Sequence, residues 1–450
     1  MKTNKTLLSL AVAGGLLSAS ASVNAAGFQL AEYSATGLGR AYAGEAAMAD
    51  NASAQWRNPA MLTYLEGTQI SVGAIYVNPN VDVSGSVDGS KSSNPTLPTS
   101  NATSDDFAND AVIPNFYISH KYSEKVAVGF AMGTNYGMET NLGDDFAAAH
   151  FGNEASVTTM EANLNAAYKL NEQFSFGGGI RYVIGEGSFG AKTPENNVIG
   201  VIGTTPISAA KGTTLKYMEG DDTAWGWQVG TAWQINEDHR VGFTYKSEID
   251  LKLEGYATGI GFDSALRDGN RDNGSMDLAL PATAELASFH QLTEKLAIHA
   301  SLNWTDWSSF EKLEAQLDTY GTKMVKVENW EDNYRFAIGA TYQVDQKLTL
   351  RTGAAYDTSA VSDKNRTITI PETDRTWLSL GASYEFTNQF TLDGGLTYIL
   401  AKDAPITESR GYASDDEAQN VAGQFVGETK GNIWLIGCLL YTSPSPRDDR

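Results

Sequence analysis

The chain of 450 residues holds a single cysteine, Cys438, five histidines and only 12 prolines. One thiol excludes the paired-cysteine framework of a disulfide-stapled secreted protein. His120, His150, His239, His290 and His299 lie scattered, without HExxH spacing, and no GxSxG is present. No catalytic residue, metal set or cofactor is therefore expected. Positive charge is scarce as well, with 32 Lys and Arg against 54 Asp and Glu, a net −22. A chain with no cationic excess cannot neutralise phosphates, which excludes nucleic acid as a partner. Long apolar runs are missing too. The one candidate, Leu7 to Leu17, follows Lys2 and Lys5 and precedes the small-residue site Val23-Asn24-Ala25. It falls short of the roughly 18 apolar residues a membrane helix needs. It reads as a secretory signal peptide over residues 1–25.

What is plentiful is Gly (44), Tyr (20) and Phe (17), a mixture suited to turns and strands. One short pattern recurs six times, as YSEKVAVGF, LNEQFSFGG, INEDHRVGF, LTEKLAIHA, VDQKLTLRT and FTNQFTLDG. Each has an apolar residue, a tight polar turn, then alternating apolar positions, so six hairpins are expected. The flanks alternate with period two, as strands with two different faces do. Phe174, Phe176, Ile180, Tyr182 and Ile184 share one face; Ser175, Gly177, Gly179 and Arg181 share the other. Long polar stretches at 85–110, 140–155, 190–222, 257–275, 314–331 and 403–430 separate the hairpins. Short turns at one end and long loops at the other describe an outer-membrane barrel. Six hairpins plus one strand near 68–83 and one from about Asn432 give fourteen. Tyr122, Tyr168, Tyr245, Tyr342, Tyr384 and Phe386 fall at strand ends, where an aromatic girdle belongs. The expectation is an all-β membrane protein, a fourteen-stranded antiparallel barrel over residues 67–437 in the outer membrane of a Gram-negative bacterium. It would be a monomer in contact with outer-membrane lipid and lipopolysaccharide.

Residues 26–66 do not alternate. They are rich in Ala and Gly, with apolar anchors from Phe28 to Met61 that a flexible arm would lack. A plug in the lumen is expected.

The start AGFQLAEYSATGLGRAYAGEAAMADNASAQWRNPAML resembles the N-terminal hatch of the FadL family of outer-membrane long-chain fatty-acid transporters. TNYGMET, WGWQVGTAWQI, YKSEIDLKLEGY and NRTITIPETDRTWLSLGASYEF resemble further family segments in the same order. The resemblance implies capture of long-chain fatty acids or other hydrophobic small molecules at the outer loops. It further implies transfer to a lumenal pocket and lateral release beside a kinked third strand. Carried onto this sequence, the hatch falls on Gly27, Phe28, Asn58, Pro59 and Ala60, and the kink on Asn135, Tyr136 and Gly137. Uptake of aromatic or alkane hydrocarbons, or a structural or receptor barrel, remain as alternatives.

A fatty acid needs an apolar lining and a cationic contact for its head group. Alternation points Arg181, Lys246, Arg335 and Arg351 into the lumen, either toward that head group or toward carboxylates such as Glu161 and Glu248. Two outer loops carry apolar residues, Val198, Ile199, Val201 and Ile202 in one and Ile260 and Phe262 in the other. Such residues mark a capture surface or a segment packed back on the rim. The family's last strand ends in an aromatic residue read by the barrel-assembly machinery. Here the chain departs after Gly437. Residues 438–450, CLLYTSPSPRDDR, match the translation of a sequencing-library adapter, so the closing strand is expected to stop about halfway.

Overall fold

The computed structural model describes residues 27–409 and 418–442 apart from Asn196, Gly203 and Thr204. The expected signal peptide lies outside the described residues. Four of the repeated turns show why the pattern has its residues. Ser123, Asn171, Thr293 and Asp345 each accept, through a side-chain oxygen, the N–H three positions on, at 3.1, 2.9, 3.1 and 2.9 Å. The residue before each donates its N–H to the first carbonyl of the next strand: Tyr122 to Val126, Leu170 to Phe174, Leu292 to Leu296 and Val344 to Leu348. A short polar side chain bonded to its own backbone fixes the reversal.

These turns join fourteen antiparallel strands. They are β1 (Thr68–Asp88), β2 (Ala111–Lys121), β3 (Val126–Gly133, resuming as Gly137–Asn141), β4 (Glu154–Lys169) and β5 (Phe174–Lys192). Next come β6 (Thr214–Asn236), β7 (His239–Lys246 and Ile249–Thr258), β8 (Asp272–Leu280 and Thr283–Gln291), β9 (Leu296–Thr305 and Lys312–Leu317) and β10 (Gly321–Val327 and Asn333–Gln343). The last four are β11 (Leu348–Asp357), β12 (Arg375–Thr387), β13 (Phe390–Glu408) and β14 (Gln424–Thr442). Each pairs with the next, and β14 pairs back onto β1 from Asp88↔Gln424 to Ser71↔Tyr441. Apart from a break in β3, closure leaves no sheet edge facing lipid, which has no donors or acceptors to satisfy one.

The two faces divide as the alternation requires. Ile180, Trp225, Ile338 and Leu380 are each more than half exposed on the outside, whereas Asn163, Arg181, Gln228 and Glu285 are buried inside.

Two expectations need correction. The polar stretches at 190–222 and 314–331 are in large part strand, and 403–430 is strand at both ends, because the ladder continues through Thr214–Asp222, through Lys312–Leu317 against Gly321–Val327, and through Ala404–Glu408 against Phe425–Thr429. At 23 residues, β6 spans roughly 76 Å, about three times the apolar band. Past that band neither face meets lipid, so alternation fades while pairing persists. The closing strand is likewise full length: it begins eight residues before Asn432 and runs through Cys438 to Thr442, 19 residues in all. Leu439 faces in and Leu440 out, so alternation carries on past Gly437.

Residues 27–66 lie inside the barrel as short helical turns, Ala35–Leu38, Glu45–Ala47, Ala54–Arg57 and Pro59–Tyr64. Nearly every residue from Phe28 to Leu65 is buried.

Candidate functional site

The Asn58-Pro59-Ala60 turn ties this N-terminal segment to the wall. The Asn58 amide donates to the carbonyls of Ala46 (2.6 Å) and of Thr231 on β6 (3.1 Å), and its oxygen accepts from Ala60 N–H (3.0 Å). Asn58 thereby caps the Pro59–Tyr64 turn, where Pro59 takes the first position, whose N–H would otherwise be orphaned. Two wall glycines admit it. A Cβ on Gly177 would sit 2.3 Å from Ala60 N, and one on Gly230 would sit 1.9 Å from the Asn58 oxygen.

The start of the segment meets β3 where that strand breaks. Between Gly133↔Glu161 and Gly137↔Thr158, four steps along β3 answer three along β4. The extra residue forces a bulge, and Asn135, Tyr136 and Gly137 fall on it. On the other side, pairing of β3 with β2 ends at Phe116↔Met132, leaving Ala111 to Asn115 without a β3 partner. The freed backbone turns to the N-terminal segment: Leu30 N–H donates to Asn135 O (2.7 Å) and Gly137 N–H to Phe28 O (2.8 Å).

Phe28 sits in an aromatic cage, with ring centroids 4.6 Å from Trp307, 5.7 Å from Phe310, 6.0 Å from Trp330 and 6.2 Å from Tyr136. Gly27, at φ +64°, packs against Trp307 and Trp330 where a Cβ would clash. Its N–H bonds Glu372, a loop carboxyl that also meets Arg375 at 2.7 Å. Burial pushes Glu372 up to about 8 against the pull of Arg375 and the Gly27 N–H.

The cage is one end of a contiguous apolar cluster inside the barrel. The cluster runs through Ile249, Leu251, Leu253, Met218 and Leu215 to Phe262 and Leu266 of the loop after β7. Phe262 is 3% exposed and Ile260 half-buried against the same cluster. Of the two expectations, an exposed capture surface or a segment packed back on the rim, these two residues fit the second, since both pack against the apolar cluster. Val198, Ile199, Val201 and Ile202 fall on a short strand, Asn197–Ile202, paired with Thr205–Ala209; their side chains lie outside the described residues.

The four lumenal cations differ in what they face. Arg181 grips Glu161 with two bonds, Nε to Oε1 at 2.7 Å and Nη2 to Oε2 at 2.9 Å, the bidentate arrangement that suits a guanidinium. Arg351 lies 3.8 Å from both Asp50 and Asp393. Arg335 donates to Ala41 O at 2.7 Å and lies 3.7 Å from Asp357. Lys246 faces the Trp56 ring at 4.9 Å. Glu248 hydrogen-bonds Ser309 and Asp250 instead of any of the four. Lys246 and Arg335 border one cavity together, and Arg57 of the N-terminal segment joins them there. Sequence reasoning missed Arg57, together with Lys216 and Lys326 beside the apolar cluster. Lys216 lies 5.8 Å from the Phe262 ring centroid, and Lys326 5.3 Å from that of Phe189 and 3.3 Å from Glu408.

Comparison with known proteins places this geometry among relatives. Residues 16–442 match the family described as outer membrane protein transport protein (OMPP1/FadL/TodX). The long-chain fatty acid transport protein of Escherichia coli O6:H1 is 34% identical over 97% of this chain and 98% of its own length. Outer membrane protein P1 of Haemophilus influenzae is 34% identical over 96% of this chain and 98% of its own. A crystal structure of a Pseudomonas aeruginosa FadL homologue superposes with a TM-score of 0.80 at 20% identity, over 93% of this chain and all of that one. The Ralstonia pickettii toluene transporter TbuX gives 0.63 at 16% identity, over 90% of this chain and 97% of its own. At such identities the structural matches establish the fold.

Proposed function

The chain belongs to the OMPP1/FadL/TodX family of outer-membrane transport proteins, and on that premise we propose that it carries long-chain fatty acids across the outer membrane through the barrel interior. The observation that supports this most is the continuous apolar cluster leading from Phe262 to Phe28 and Tyr136 at the break in β3. An alkyl chain moving along it exchanges one apolar contact for another, and burial of each methylene is worth about 0.8 kcal/mol relative to water. Lys216 and Lys326 at the flank of the cluster suit a carboxylate there. The segment 27–66 acts as the hatch, anchored by Asn58 and closing the way to the periplasm. The break at Asn135-Tyr136-Gly137 leaves β2 and β3 unpaired over several residues, which suits lateral release of an apolar chain through the wall.

The test is uptake of labelled oleate, and separately of toluene, by cells that lack their own transporter and express this barrel. Oleate uptake reduced by Lys326→Met, with toluene entry unaffected, supports a fatty-acid carrier. Toluene entry without oleate uptake moves the assignment to uncharged hydrocarbons, for which no cationic contact is needed. A well-assembled barrel that passes neither rejects both in favour of a structural or receptor role.

A further inference from the structure

Two of the five histidines, 51 residues apart in sequence, come together at the rim of the barrel where β7 leaves its short turn. His239 and His290 stand directly opposite each other across the β7–β8 ladder. Gln291 N–H bonds Asp238 O at 2.8 Å, so the next pair along is the kind without backbone bonds, in which opposed side chains stand closest. Alternation puts both imidazoles on the outer face, because Phe243 and Leu286, four residues along each strand, are opposed and exposed. The short turns of an outer-membrane barrel lie on the periplasmic side. Both rings, half-buried, therefore meet periplasmic water at the margin of the lipid.

Their Nδ1 atoms are 3.0 Å apart, with the ring planes at 60°. Neither Nε2 makes a hydrogen bond to any described residue. Imidazole nitrogens bind transition metals at about 2.0–2.1 Å, so an ion shared by the two Nδ1 atoms at their present separation would see them about 91–97° apart. That is close to the right angle between neighbouring ligands in a square-planar or tetragonal site, the geometry of Cu(II) and Ni(II), and narrower than a tetrahedral one. The surrounding charge suits a cation. Glu237 and Asp238 are exposed in the turn that carries His239 and add negative potential there. Arg240 points the other way, into the lumen, with its guanidinium 3.9 Å from the Tyr64 ring centroid. Lys295 of the neighbouring turn donates to Val344 O at 3.0 Å.

We propose that His239 and His290 form a periplasmic-side site for a divalent transition metal, Cu(II) ahead of Ni(II). No third His, Cys or carboxylate completes a cluster with them among the described residues, so water fills the remaining positions. Cu(II) heads the affinity order of the first-row divalent metals, and imidazole suits it. The proton held between the rings passes to the free Nε2 of its own imidazole as the metal takes both Nδ1 lone pairs. Neither ring then has to carry charge. The bound ion fastens β7 to β8 at the rim, outside the lumen and independently of what the barrel carries.

The test titrates Cu(II) into the purified, untagged full-length barrel in detergent, read by calorimetry and electron paramagnetic resonance. The exposed thiol of Cys438 is first removed as Cys438→Ser, so that it neither binds nor reduces the ion. One saturable Cu(II) per barrel is expected, with hyperfine splitting from two imidazole nitrogens. Loss of a hydrogen-bond partner behind a ligand already costs about 10- to 100-fold in metal affinity, so His239→Gln and His290→Gln, which remove a ligand outright, should each weaken binding at least tenfold. His120→Gln, at an exposed histidine bonded to Thr68, should leave it unchanged. Unchanged heat-modifiable migration separates loss of a ligand from loss of the fold. No saturable Cu(II) binding, or equal affinity in the double variant His239→Gln/His290→Gln, overturns the proposal. The titration is read without transport, so a barrel that carries oleate but binds no Cu(II) loses this site alone.

Discussion

Replacing Phe28 by Ala isolates what holds the N-terminal segment to the break in β3. The Phe28 ring is 1% exposed and touches three other aromatic residues within 6.0 Å. Truncating a buried Phe to Ala costs about 3–5 kcal/mol. That cost falls on docking of the segment's first residues, because the strand-to-strand pairing that closes the barrel does not run through Phe28. Without the ring, two backbone bonds remain, Leu30 to Asn135 and Gly137 to Phe28. Every 1.4 kcal/mol is tenfold, so undocking becomes more frequent by roughly 10² to 10³-fold or more. Amide exchange read by mass spectrometry on peptides containing Leu30 and Gly137 should accelerate by that factor in Phe28→Ala. Peptides from β12 and β13 should exchange as in wild type, since barrel closure does not depend on the cage. Exchange at Leu30 and Gly137 within about fivefold of wild type would refute the claim that the cage provides the docking energy. Equal acceleration throughout the barrel would refute its locality.

Three further outcomes follow from the same contacts. Asn58→Ala removes a cap and two links to backbone carbonyls, about 1 kcal/mol per hydrogen bond; protease should cleave within residues 46–66 faster, while β-sheet circular dichroism stays unchanged. Arg181→Met leaves Glu161 as a buried charge held by Asn135 alone, a loss of about 3–5 kcal/mol. The double variant with Glu161→Gln should recover much of it, and strictly additive losses in a urea-unfolding cycle would dismiss the pair. Glu372, pushed up to about 8 by burial, stays largely protonated in the folded barrel at neutral pH, whereas in the unfolded chain it ionises near 4.5. Its contribution to stability is therefore full below about 4.5 and is lost as pH rises through about 8. The urea midpoint of wild type should fall relative to Glu372→Gln between about pH 4.5 and 8 and level off above, and parallel profiles would reject the assignment.

Much of the barrel was legible because its determinants are local. Ser123, Asn171, Thr293 and Asp345 carry their own turn signal, and Ile180 or Leu380 against Arg181 or Gly381 reports the wall's two faces at period two. The same logic failed where lipid no longer imposes the contrast. Thr214 to Asp222 reads as a polar loop, yet it is ladder-paired with β5 along its length and with β7 from Tyr217 to Asp221. Phe262 was ambiguous for the complementary reason: an apolar residue in a loop fits a surface patch or a segment packed back on the barrel, and only the folded loop shows it buried. The cations of the interior were partly visible. Alternation found Lys246 and Arg335, but Arg57 sits in a segment without periodicity, between Trp56 and Asn58, where nothing in the local pattern marks it. Lys326 lies in a strand end where Val325, Lys326 and Val327 are all buried, so no alternation marks it. Nothing local could pair Arg57 with Lys246 and Arg335, because that juxtaposition exists only once the segment lies inside the closed barrel.

The most direct test of passage through the interior and out at β3 is labelled oleate uptake by a variant in which Asn135 is deleted, so that three steps on β3 answer three on β4. Straightening the strand closes the break and shifts Tyr136, while the stretch of the apolar cluster from Ile249 to Phe262 belongs to other strands and loops. The account predicts a properly assembled, heat-modifiable barrel that binds oleate in detergent yet no longer carries it into cells. Uptake at the wild-type rate through a continuous β3 would contradict it.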